Sequence, residues 1–137
     1  MKKIIVLLLF SFGVSFSWAQ LLSWTPSFPV ENDAATNVVI TVDATKGNQG
    51  LLNYASTNDV YVHIGVITTS SVNPTDWRHA PFTWATTPAA AHCTYLGSNK
   101  WQYTIAGGLR AFFGISDASE HILKIAILFR SGDGSKA

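Results

Sequence analysis

Apolar and polar positions alternate with a period of two along most of the chain beyond residue 20, and almost nowhere with the spacing of an amphipathic helix. Val38, Ile40 and Val42 interleave with Val39, Thr41 and Asp43, the pattern of a half-buried strand. Turn chemistry follows over Lys46-Gly47-Asn48-Gln49-Gly50. Asp59 then leads into Val60–Ile67, whose even positions form one apolar face and whose other face carries Tyr61 and His63. Ser70–Thr75 reads as a polar loop, and Trp77–Trp84 as an irregular strand interrupted at Pro81. Thr94–Leu96 and Trp101–Ile105, joined by Gly97-Ser98-Asn99-Lys100, predict a hairpin with Trp101, Tyr103 and Ile105 on one face. A short helical turn is expected near 108–114, limited by glycines at both ends. Ile122–Phe129 closes the series as a strand with Leu123, Ile125, Ile127 and Phe129 pointing one way. Short strands separated by turn signals predict an all-β sandwich. Two half-buried faces must meet, so Val60, Val62, Ile64, Leu123, Ile125, Ile127 and Phe129 are expected in one core.

The start of the chain breaks this pattern. Met1-Lys2-Lys3 is positive, Ile4–Phe10 is unbroken apolar sequence, and Ser17-Trp18-Ala19 places small residues where a signal peptidase reads them. Residues 1–19 therefore read as a secretory signal peptide rather than a membrane anchor, because the apolar stretch is short for a bilayer and no stop-transfer charges follow. The expected mature domain is residues 20–137, outside the cytoplasm and with no membrane span. At the other end, Ser131–Ser135 is a strong turn with no partner strand behind it, and an apolar edge left unprotected is a liability. The domain is expected to be C-terminally truncated.

Charge and chemistry narrow the function. Nine Lys and Arg, less Lys2 and Lys3, leave seven against eight Asp and Glu, so the mature chain sits near −1. Scattered basic residues make no stripe for nucleic acid. Cys93 is the only cysteine and forms no internal disulfide; a small buried hydrophobe is its expected role. Four histidines, at 63, 79, 92 and 121, lack zinc spacing, and no nucleophile elbow or phosphate loop occurs. One carboxylate in Ser131–Gly134 makes no calcium loop. The sequence thus predicts no catalytic residue, no metal and no cofactor.

The aromatics are more telling. Trp24, Trp77, Trp84 and Trp101 belong to the mature chain. Asp76–Trp84 mixes two indoles with Arg78, His79 and Pro81 beside a polar loop. An exposed indole offers an apolar face and a polar edge to the C–H face of a sugar, while a buried one is ordinary sandwich core. Both readings stand for Trp77 and Trp84. Tyr54, beside the Gly50 loop, is a third candidate. Two exposed coplanar rings would favour binding; two buried rings would favour a spacer.

Several segments together resemble the opening of secreted, Bacteroidetes-type α-amylase-family proteins. They are the leader, Trp24–Pro29, Val38–Leu51, Val60–Thr68, Asp76–His79, Leu109–Ile115 and Ile122–Lys136. The resemblance covers essentially the whole mature chain. It implies an N-terminal immunoglobulin-like module, similar to starch-binding modules, ahead of a catalytic barrel whose carboxylates have no counterpart here. The implied partners are α-glucan and a downstream catalytic domain in the same polypeptide. The alternative is a structural spacer without sugar contact.

Overall fold

The computed structural model describes residues 20–27 and 29–137; the expected signal peptide lies outside the described residues. Among the described residues six strands make two antiparallel sheets. The larger contains β1 (Leu22–Thr25), β2 (Val38–Asp43), β4 (Thr94–Gly97) and β5 (Lys100–Ile105) in the order β1-β2-β5-β4. The smaller pairs β3 (Val60–Thr68) with β6 (Ile122–Ser131) alone. The fold is all-β and sandwich-like, as the period-two pattern predicts. Its strand order matches the immunoglobulin partition, with A, B, E and D on one sheet and C with F on the other.

The core lies between the sheets. Val60, Val62, Ile64 and Val66 of β3 face Val38, Ile40 and Val42 of β2 and Trp101, Tyr103 and Ile105 of β5, all buried. Register places Val42 opposite Trp101 and Ile40 opposite Tyr103. Trp101 satisfies its indole N–H on the Thr57 carbonyl at 2.9 Å, and the Tyr103 hydroxyl donates to the Ala90 carbonyl at 2.9 Å. Burial pushes the Tyr103 phenol up to about 12. Cys93 is fully buried and free, the role expected of it. The hairpin turns through Ser98 and Asn99, both at positive φ (49° and 59°), the backbone a two-residue hairpin turn requires. The helical turn α1 (Leu109–Phe112) falls inside the expected stretch and sends Leu109 to the core.

Two expectations need correction, one holds in part, and one strand was not expected. Leu123 is not core: it is 59% exposed. The ladder between β3 and β6 slips between Ile67 and Thr68, so Ile67 opposes Lys124 while Thr68 opposes Ile122. Leu123 is left over at this bulge and Ile122 packs inward in its place. Ile125 and Ile127 do pack against the core but stay half-buried, because among the described residues no strand covers the far side of β6. Trp77–Trp84 is not a strand; it makes one bridge, Val66 with Arg78. Finally, β1 is a strand that the alternation did not announce, paired Trp24 to Ile40 and Leu22 to Val42. Among the described residues no helix is long and apolar enough to cross a membrane.

Candidate functional site

Strand alternation that sends Val60, Val62 and Ile64 inward sends Tyr61 and His63 to the outer face of the small sheet. Across the ladder, Tyr61 opposes Arg130 and His63 opposes Leu128. The connection from β3 to β4 runs back along the β3 edge, and Gly65 permits the approach. A side chain there would meet the Arg78 carbonyl at 3.0 Å and the Trp77 Cβ at 3.6 Å. Val66 and Arg78 exchange both backbone hydrogen bonds, at 2.8 and 2.9 Å. Trp77 is thereby delivered to the outer face.

Trp77 and Trp84 do come together, around His63. The Trp77 ring stacks on the imidazole at 5.8 Å and 20°, and Trp84 meets the same ring edge-on at 5.2 Å and 90°. The two indole planes are therefore steeply inclined and form no flat pair. Trp77 is half-buried and Trp84 is 43% exposed. Tyr54 belongs elsewhere. Its hydroxyl donates to Asp59 at 2.9 Å, its ring packs against the core rim, and it pairs with neither indole.

Arg130 organises the site, and the sequence reading passed over it. Its side chain is fully buried. The guanidinium lies 5.4 Å from the Trp84 ring centre and 5.9 Å from that of Tyr61. Its Nη1 donates to the carbonyls of Ser131 (2.9 Å) and Gly132 (3.0 Å), and Nη2 to that of Thr86. Among the described residues no carboxylate pairs with it, and Nε has no partner. Carbonyl dipoles and two ring faces take the place of a counter-ion. His63 lies beside this cation with Nδ1 buried and unpartnered. Burial first, and the Arg130 charge second, hold its pKa below the usual histidine value. One signal was available: a Tyr and a His alternating outward on a strand, with an Arg on the strand that pairs with it.

Polar groups flank Trp77. Glu120 accepts from the Thr68 hydroxyl at 2.5 Å and meets His79 Nε2 at 3.1 Å, with Arg78 Nε at 3.8 Å. These contacts, the Thr68 hydrogen bond foremost, lower its pKa. An ionised carboxylate spent on internal donors is a clasp rather than a proton donor. Glu31 is held likewise by His121, the Ile122 N–H and Arg110. No set of three His, Cys, Asp or Glu among the described residues could hold a metal. The arrangement can present one indole, that of Trp84, to solvent.

No protein-family model matches the chain, and no curated protein matches it.

Proposed function

We propose that the protein is a non-catalytic accessory module that binds α-glucan weakly through Trp84 and lends that affinity to a hydrolase in the same secreted polypeptide. The exposed Trp84 ring carries the reading. A large apolar ring left 43% in solvent, yet braced by His63 and Arg130, has little mobility to lose when a sugar ring stacks on it. The leader and the resemblance described above supply the context. Trp77 acts as the wall that fixes His63, and Tyr54 takes no direct part.

One ring sets the scale. Stacking of nucleic-acid bases on aromatic side chains is worth about 1–3 kcal/mol, and a saturated sugar has no π face, so it gains no more. One such ring falls short of the roughly 4 kcal/mol that a Kd of about 1 mM represents, so binding in the millimolar range or weaker is expected. Such affinity matters only through the effective concentration that tethering provides. The spacer reading has one observation in its favour: Trp84 already covers a buried cation and lacks a coplanar neighbour.

Electrophoresis through native gels containing starch decides between the two. Binding predicts that the wild-type chain is retarded, that Trp84→Ala abolishes retardation, and that Tyr54→Phe leaves it unchanged. A folded wild-type protein that runs equally with and without starch would assign the spacer role.

A further inference from the structure

Two segments remote in sequence meet at the exposed indole. The turn at 131–135 lies against residues 84–87 at two points, and each contact is made by a glycine. A Cβ at Gly132 would stand 3.1 Å from the Thr87 Cγ2, and one at Gly134 would stand 2.9 Å from the Trp84 Nε1. Gly134 also sits at a φ of 72°, where a side chain is strained. Arg130 ties the two segments together, since Nη1 donates to the Ser131 and Gly132 carbonyls and Nη2 to that of Thr86. The ring and the turn are thereby held as one body.

Asp133 stands between the two glycines and is exposed. Its Oδ1 accepts from the Ser131 hydroxyl at 2.6 Å, the Ser135 N–H at 3.0 Å and the Ser135 hydroxyl at 2.8 Å. Three donors on one oxygen fix the carboxylate, while Oδ2 takes no hydrogen bond among the described residues. The Trp84 Nε1–H likewise has no acceptor among them, and it lies at the edge that faces Gly134. Asp133 is one residue, about 3.8 Å along the chain, from that glycine, so a pyranose stacked on the ring is within its reach. Asp117 closes its own turn through Oδ1 in the same way; what sets Asp133 apart is the indole against its turn. An apolar face, one free donor and one free acceptor are thus grouped on a rigid frame.

We propose that Asp133 is the polar half of the Trp84 site: its Oδ2 accepts from one glucan hydroxyl while the indole N–H donates to another, so the site takes neutral sugars and rejects carboxylated ones. This rests on the glucan-binding reading of Trp84 and names the class of glucan that it admits. The Ser131 hydroxyl first, and the Ser135 N–H second, bring the Asp133 pKa down to about 2, so at neutral and mildly acid pH the group can only accept. A hydrogen bond to an ionised acceptor is roughly twice as strong as one between neutral groups, and it supplies affinity that a single ring lacks. A carboxylated sugar brings a second anion to Oδ2 and no proton for it. The Arg130 guanidinium offers such a sugar no donor, because its side chain is fully buried.

Native gels containing either starch or starch oxidised to the 6-carboxylate test this on wild type, Asp133→Asn and Ser135→Ala, with circular dichroism to establish that each is folded. Asp133→Asn keeps an oxygen for the three turn donors but puts a donor in place of Oδ2. Ser135→Ala loosens the turn and leaves Oδ2 in place. Wild type should be retarded by starch and far less by the oxidised form. Asp133→Asn should lose roughly tenfold in affinity for starch and treat the two glucans alike, and Ser135→Ala should behave as wild type. A wild type that ignores starch overturns this assignment together with the Trp84 reading. If wild type is retarded by starch, the Asp133 assignment alone is overturned by any of three results: equal retardation in Asp133→Asn, equal impairment of Ser135→Ala and Asp133→Asn, or equal retardation of wild type by both glucans. Should Asp133→Asn fail to fold, the preference of wild type between the two glucans decides.

Discussion

A single buried arginine without a carboxylate is the most consequential residue here. The Arg130 guanidinium ties Thr86, Ser131 and Gly132 together and stands between the Tyr61 and Trp84 rings. Arg130→Met keeps an apolar stem but strips three carbonyls of a charged donor. It should cost about 2–4 kcal/mol in urea unfolding; a loss under about 0.5 kcal/mol, the usual range of a surface change, would remove Arg130 from the centre of the site. His63 supplies a pH dependence with a definite sign. Its folded pKa lies below the usual histidine value, so the folded state takes up the proton less readily than the unfolded chain. Stability from this group is complete above the unfolded pKa and is lost as pH falls below it. Melting between about pH 7 and 5 should show a decline for wild type that is absent in His63→Phe. Trp77 and Trp84 were legible as candidates from composition and neighbours. Their mutual angle was not, because it is set by a histidine and an arginine on two strands remote in sequence.

At the level of elements, most of β2, β3, β5 and β6 could be read from alternation. What alternation missed was a change of phase. A bulge adds one residue to one strand, and every side chain beyond it changes face. Leu123→Lys should therefore be nearly neutral, within about 0.5 kcal/mol, while Ile122→Lys should cost several times more by burying a charge. Equal effects would contradict the bulge. The hairpin turn gives a change of opposite sign. Ser98 sits at a φ of 49°, where a side chain is strained, so Ser98→Gly should stabilise by about 0.5–1 kcal/mol. Denaturant midpoints at unchanged slope would measure both. β1 escaped notice because its four residues are too few for a period to emerge, and its partner β2 determines its state.

For the whole molecule, carboxylates act as fasteners between distant segments. Glu31 joins the β1–β2 loop to the start of β6, and Glu120 joins the end of β3 to His79. Asp133 closes the final turn, with a pKa brought down to about 2, first by the Ser131 hydroxyl and then by the Ser135 N–H. All three have pKa values below the usual carboxylate range, so each adds stability above its unfolded pKa and loses it as pH falls through the folded one. A second decline in Tm below about pH 4 should follow, and Glu31→Gln should reduce it. An unchanged acid limb in that variant would contradict the fastener role.

The strand segments β2, β3, β5 and most of β6, their inward faces up to the bulge, and the hairpin were written in the sequence by itself, because a pleated strand alternates faces whatever it packs against. Clustering of Trp, Arg and His near Pro81 marked the segment that the fold lays against the outer face of β3. Tertiary structure alone decided which strand meets which, where β6 slips out of phase, and that Trp84 stays in solvent while Trp77 is half-covered. Those outcomes depend on contacts between residues far apart in the chain, such as Arg130 with Thr86 and Glu31 with Ile122. No local pattern encodes them, because each is settled by competition for space and hydrogen bonds after the sheets have met.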